Sequence, residues 1–349
     1  MLIRPVRYLD LPVLKSLFEE TLAEEYERRG VDLSSQVARW QRMYPLVRAL
    51  SLFPNPFQYS MNLWVAEVDG VVAGFIQASP ALRDGSRWHV DFIAVAPEFR
   101  SSGVAAAMLD HVVLAQAEAG VDCFTAEVDV RNRRALELYA RRGFRRYARL
   151  EYLQMMPEAI QHFAPAVPPT GLRSVRPRDA EALLELHRAC TPEDVRLVDT
   201  RTATGLEMGF VEHTLARWRR KLGLFEDRRY VLENDRRQII GYLRVQGHFR
   251  SLPHVLRVMV HPGYEDELPG LVGFGLGKLR GFPDSLVLAW GPDYQQATLE
   301  ALREAGFAFL TEDYLLVRDG MVPVKPIRTG LPSGVEEPLL KPAYCRRGS

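Results

Sequence analysis

The residues best able to do chemistry gather around one junction in the first half of the chain. The stretch VAPEFRSSGVA, residues 95–105, closes an apolar run, passes Arg100 and opens a second run on small residues. RWHVDFIAV before it reads as a strand ending at Val95, and GVAAAMLDHVVLAQAEAG after it reads as a helix with apolar residues at helical spacing. At a helix start the first backbone N–H groups lack an internal partner and the dipole is positive, so such a loop suits a phosphate. Gly103 lets the backbone approach closely, small Ala105 keeps the first turn clear, and Arg100 adds a fixed charge. The loop has neither the Gly-Lys-Ser/Thr of a P-loop nor the three glycines of a dinucleotide fingerprint, and a plain helix start beside a solvated arginine would share its features. Groups that can relay a proton lie close by in sequence. His89 and Asp91 stand two apart on the strand and so share a face, while Glu67 and Glu127 sit on other strands; the sequence does not rank them.

The elements that must position these residues occur twice. IRPVRYLDLPVLKSL from Ile3 aligns with LRSVRPRDAEALLEL from Leu172, each a short strand, a turn at Asp10 or Asp179, and an amphipathic helix. WVAEVDGVVAGFI from Trp64 aligns with YVLENDRRQIIGYL from Tyr230, each a β-hairpin, with Gly74 answering Gly241. Val95-Ala96-Pro97 then matches Val260-His261-Pro262, Gly143-Phe144 matches Gly306-Phe307, and Glu151-Tyr152-Leu153 matches Asp313-Tyr314-Leu315. A period of about 165 residues is too long for a solenoid, so two similar domains in tandem are expected. Their boundaries fall at 1–156 and 172–322, with a Pro-rich, extended linker at 157–171 and a tail over 323–349. Each half reads as α/β (α+β): a mixed, mostly antiparallel twisted sheet with one parallel crossover, flanked by helices. Strands are expected near 63–68, 72–79, 88–96 and 122–130.

Val95, Pro97, Arg100, Gly103 and Ala105 together resemble the acetyl-CoA-binding motif of the GNAT N-acetyltransferase superfamily, Val-x-Pro-x-x-Arg/Gln-x-x-Gly-x-Gly/Ala. VRNRRALELYARRGF, from Val130 to Phe144, resembles the family's later strand-to-helix segment, and the likeness covers essentially residues 1–155. The resemblance implies that acetyl-CoA lies along Arg100, Ser101, Ser102, Gly103, Val104 and Ala105. Its pantetheine arm would pair with the strand backbone at Phe92, Ile93, Ala94 and Val95, with a further contact at Asn132. It also implies direct attack of an amine on the thioester, with Tyr139 as the proton donor to the departing thiolate and His89, Asp91 or Glu127 as the base. Tyr139 also fits the apolar face of its helix, and Asn132 is a good N-cap in its own right. Trp40, Tyr44, Phe53, Phe57 and Tyr59 lie where the family shapes its acceptor pocket, although a packing role fits them equally. The acceptor is expected to be a small-molecule or peptide amine. An acyl-CoA sensor or scaffold that performs no transfer is the alternative.

The second copy departs from this pattern. Aligned on Pro262, it puts Glu265 in place of Arg100 and Leu268 in place of Gly103, and the acidic run Glu265-Asp266-Glu267 repels a diphosphate. Gln295 stands for Asn132 and Leu302 for Tyr139. GFGLGKL at Gly273 to Leu279 falls inside a helix and reads as flexible or closely packed chain, not a phosphate loop. A degenerate second half beside a working one is similar in layout to the mycothiol synthases. Three roles stay open for it: architecture, closing the acceptor cleft, or forming a homodimer.

Composition excludes several other classes. The 349 residues carry a formal net charge of +1, with no basic stripe interleaved with aromatics, so no nucleic-acid partner is expected. Cys123, Cys190 and Cys345 are an odd, widely spaced set without zinc-site spacing, and no metal is expected. MLIRPVRYLD interrupts its apolar residues with Arg4, Arg7 and Asp10, unlike a secretory signal, and no apolar run spans a bilayer. A cytoplasmic protein without membrane association is the expectation.

Overall fold

The computed structural model describes residues 1–28, 62–81, 85–163, 167–198, 225–249 and 252–320. The aromatic stretch from Trp40 to Tyr59, Cys345 and the tail lie outside these residues. In chain order the strands are β1 (Leu2–Pro5), β2 (Leu63–Val68), β3 (Val71–Pro80), β4 (Arg87–Val95), β5 (Cys123–Asp129) and β6 (Arg145–Met155), then β7 (Leu172–Ser174), β8 (Phe225–Glu233), β9 (Ile239–His248), β10 (His254–Val260), β11 (Val287–Pro292) and β12 (Ala308–Asp319). The helices are α1 (Leu11–Arg28), α2 (Val104–Glu118), α3 (Arg133–Ala140), α4 (Pro157–Ile160), α5 (Ala180–Cys190), α6 (Glu193–Arg196), α7 (Leu268–Leu279) and α8 (Gln296–Glu304). None of the described helices is long and apolar enough to cross a membrane.

All twelve strands form one sheet in the order β1-β2-β3-β4-β5-β12-β6-β11-β10-β9-β8-β7. Among the described residues only β4 with β5 and β10 with β11 run parallel, one crossover in each half. The two expected sheets are therefore joined, and the join is an exchange. β12, from the second half, pairs with β5 of the first, and β6, from the first half, pairs with β11 of the second; β6 and β12 pair with each other at the centre. The cores follow the exchange. Leu153 and Met155 of β6 are buried among second-half residues such as Val287 and Leu302, while Leu316 of β12 is buried with Val112, Phe124 and Tyr139.

Helices cover both faces. α2 is built of Ala, Val, Leu and Met, good helix formers or apolar fillers, and buries Val104, Met108, Leu109, Val112 and Val113 along one side. That side meets Ile76 and Ala78 of β3, Trp88 and Val90 of β4, and Phe124 and Ala126 of β5. On the opposite face Leu11, Leu14 and Leu17 of α1 pack on Val65, Phe75 and Ala94. In the second half α7 plays the part of α2. A Cβ added at its Gly275 would come within 2.4 Å of Leu256, so the glycine run permits close packing of helix on sheet.

The duplication extends to side chains. Arg4 donates to both carboxylate oxygens of Asp10 at 2.7 and 2.9 Å and to Glu67 at 3.0 Å; Arg173 donates to Asp179 at 2.6 and 2.9 Å and to Glu233 at 2.8 Å. In each, the aspartate also caps the turn, accepting from the Arg7 amide at 2.6 Å and the Arg176 amide at 2.7 Å. Glu67 thus serves the β1 clamp and not a cleft. The segment 157–171 opens on a helical turn whose Ile160 is buried in the second core, where an extended run was expected.

Candidate active site

The loop between β4 and α2 has an irregular backbone. Pro97–Phe99 makes a short 3₁₀ turn, Ser101 has φ 65° and Gly103 has φ 88°. A left-handed serine is uncommon and marks a loop shaped for something other than a plain connection. The amides of Ser101, Gly103, Val104 and Ala105 donate to no backbone carbonyl among the described residues, and the first amide so used in the helix is that of Ala107, bonded to Gly103 O at 3.0 Å. Ser102 is tied back to Phe99 O by its hydroxyl at 2.6 Å, and Arg100 is exposed. Left-handed residues alternating with ordinary ones at a helix start make an anion-binding concavity, so the loop fits the diphosphate implied for it.

The counterpart before α7 is closed. Its 3₁₀ stretch Pro262–Glu267 runs straight into α7, with Glu267 and Leu268 in right-handed helical conformation and no residue of positive φ. Glu265, Asp266 and Glu267 occupy it.

Next to the loop, β4 leaves its partner. The parallel pairing of β4 with β5 runs from Arg87–Cys123 to Val90–Ala126 and stops there. From Phe92 to Val95, β4 keeps its ladder with β3 and no longer pairs with β5. The change happens at a bulge: Ala78 faces Val90 and Gln77 faces Phe92, so Asp91 has no cross-strand counterpart on β3. In the second half, Val245 faces Leu256 and Arg244 faces Arg257 without interruption. Asp91 is therefore one residue that β10 does not have.

Each residue expected from sequence can now be placed. Tyr139 is buried in the first core, edge-on to Phe144 at 4.9 Å, and its phenol is held well above the ordinary tyrosine range by burial and then by the charge of Asp91. Asp91 and Tyr139 are thus neighbours electrostatically. Asp91 Oδ1 accepts from the Ser79 hydroxyl at 3.0 Å, and Ser79 stands opposite His89 in the ladder. Simple alternation does not apply across the bulge, yet Ser79 links the two positions. His89 is buried, with Nδ1 2.9 Å from Thr125 Oγ1. Glu127 Oε2 accepts from the Tyr152 hydroxyl at 3.4 Å. The three candidate bases meet three different partners. Asn132 caps α3, its Oδ1 accepting from the Ala135 amide at 3.1 Å. Sequence reasoning missed Ser79, Thr125, Gln77 and Tyr152 as neighbours of this site. An extra residue in β4 relative to β10 was the available signal for Ser79.

A tandem α/β arrangement with an open loop in one copy and a closed one in the other defines a duplicated fold with unequal halves. Residues 20–144 match the profile of the Acetyltransferase (GNAT) family. The family match thus lies within the first half of the chain, and the chain as a whole shares the fold of solved GNAT structures. The fold is shared with a GCN5-related N-acetyltransferase from Sphaerobacter thermophilus, at 15% identity and TM-score 0.57, covering 91% of this chain and 95% of that one. It is shared also with a tandem GNAT protein from the clavulanic acid biosynthesis pathway, at 17% identity and TM-score 0.56, covering 92% and 98%. No curated protein matches the chain.

Proposed function

We propose that the protein transfers an acetyl group from acetyl-CoA to a primary amine, with the chemistry in residues 1–156 and the second domain, 172–322, not catalytic. The observation that carries this is the coincidence, in one half only, of an open amide loop at Arg100 to Ala105 with a bulged β4 that parts from β5 after Val90. Acetyl-CoA supplies the activated acyl group. The loop amides and Arg100 hold its diphosphate, and the β4 edge from Ile93 to Val95 offers amide and carbonyl groups to the pantetheine arm, as a sheet edge accepts an added strand.

The amine must be unprotonated to attack, and Asp91, already bonded to Ser79, is the carboxylate that shares the cleft with Tyr139. Burial keeps the Tyr139 proton in place until a thiolate is there to take it, the behaviour required of a general acid. The α3 N-cap at Asn132 fixes the start of the helix that carries Tyr139.

The test is CoA release by the full chain over a panel holding spermidine, a lysine-containing peptide, a peptide with a free amino terminus and an aminoglycoside, alongside calorimetric titration with acetyl-CoA. Micromolar acetyl-CoA binding with amine-dependent release is expected. Binding without release from any amine would identify an acyl-CoA sensor instead.

A further inference from the structure

Gln77 is a residue to which nothing above gives a task. It lies on β3 opposite Phe92, the residue that follows the bulge, and on its other side opposite Leu63 of β2. It shares its sheet face with the apolar set formed by Leu63, Phe75, Phe92 and Ala94. Its carboxamide oxygen is buried, and among the described residues it accepts no hydrogen bond. A buried acceptor left in this condition costs stability, and a leucine or methionine would pack the same space without that cost.

The second copy shows what such a position looks like when only the fold must be served. Its counterpart, Arg244, is opposite Arg257 as Gln77 is opposite Phe92, and it is satisfied internally, donating twice to Asp227 at 2.9 Å. The half that keeps the open loop and the bulge is the half whose polar side chain at this place has its oxygen unmet. Ser79, two residues along the same strand, holds Asp91. Gln77 thus presents an acceptor oxygen on the strand that carries the Asp91 tether, directly across from Phe92, where β4 has parted from β5.

We infer that the Gln77 carboxamide oxygen is a positioning group for the acceptor: it takes an N–H from the incoming amine and so turns the nitrogen lone pair toward the thioester. This rests on the reading of the site as an N-acetyltransferase. The missing partner of Gln77 is then the substrate, and the cost of its burial in the free protein is recovered on binding.

The inference is tested with Gln77→Leu and Gln77→Glu in the full chain, using whichever amine of the panel above gives the fastest CoA release. In Gln77→Leu the KM for that amine rises about tenfold or more, as loss of one such bond implies, and acetyl-CoA affinity stays within about twofold of wild type. The melting temperature without ligands rises by a few degrees, because an unmet buried oxygen has been removed. Gln77→Glu keeps an acceptor oxygen and recovers most of the amine KM. A lower melting temperature in Gln77→Leu overturns the inference, since the oxygen would then be satisfied within the protein; so does an unchanged amine KM in a wild type that turns over. Absence of CoA release by the wild type with every amine removes the transferase reading, and this assignment with it.

Discussion

Tyr139 and Asp91 set the chemistry expected of single residues. Replacing Tyr139 with Phe removes the proton and keeps the ring against Phe144, so kcat falls about 100-fold or more while acetyl-CoA affinity holds, as steady-state kinetics and calorimetry would show. The pH dependence has a definite sign. Burial and the charge of Asp91 both raise the Tyr139 pKa, so its acid form persists through and above the ordinary value near 10. The rate profile should therefore show no alkaline fall from this residue below about pH 10; a descending limb between pH 7 and 9 that vanishes in Tyr139→Phe would contradict that. The burial of Tyr139 was legible from the sequence because it falls on the apolar face of its helix. Asp91 was legible as a residue but not in its setting. Alternation alone does not describe Asp91 at the bulge, where its bond to Ser79, the residue opposite His89, sets its position. Gln77 gave no signal at all, since an isolated polar residue in a strand most often faces water.

At the scale of elements, the β4–α2 loop and the paired clamps make separate demands. Gly103 sits at φ 88°, a region that costs a β-branched residue roughly 1–2 kcal/mol or more. Gly103→Val is expected to raise the acetyl-CoA Kd about tenfold by calorimetry, with little change in the second half, because the loop backbone rather than a side chain forms the concavity. The clamps are structural. Hydrogen bonds from Arg4 to Asp10 and from Arg173 to Asp179 hold both carboxyls below the usual carboxylate range. Their contribution is complete above pH about 4 and is lost as the pH falls through the lowered folded-state values, so acid should destabilise the protein beyond what ordinary carboxylates would cause. Asp179→Ala leaves Arg173 half-buried with Glu233 alone and is expected to cost about 3 kcal/mol in urea unfolding. The aspartates were readable as turn residues in both repeats. Their arginines were not, because a partner across the β1–β2 pairing is a tertiary fact. The repeated order of strands and helices was readable throughout, since each element carries its own periodicity.

At the scale of the molecule, the exchange of β6 and β12 was hidden from sequence. Glu151-Tyr152-Leu153 and Asp313-Tyr314-Leu315 were readable as matching segments near the ends of the halves, but nothing local says which sheet each will join. The exchange makes the halves interdependent. Fragments 1–163 and 167–349 produced together should co-elute as one heterodimer on size exclusion, whereas 1–163 alone, with β5 exposed as an open edge and Leu316 missing from its core, should aggregate. Independent, monodisperse folding of 1–163 would show that the exchange is dispensable. The order of synthesis adds a constraint of its own. β5 emerges from the ribosome early, but the neighbour that completes it ends at Asp319. At translation speeds of about 5–20 residues per second, a nascent chain carries that raw edge for on the order of ten seconds or longer. A message cut short between α2 and β12 would therefore encode the whole β4–α2 loop and still leave β5 without its neighbour, a client for chaperones.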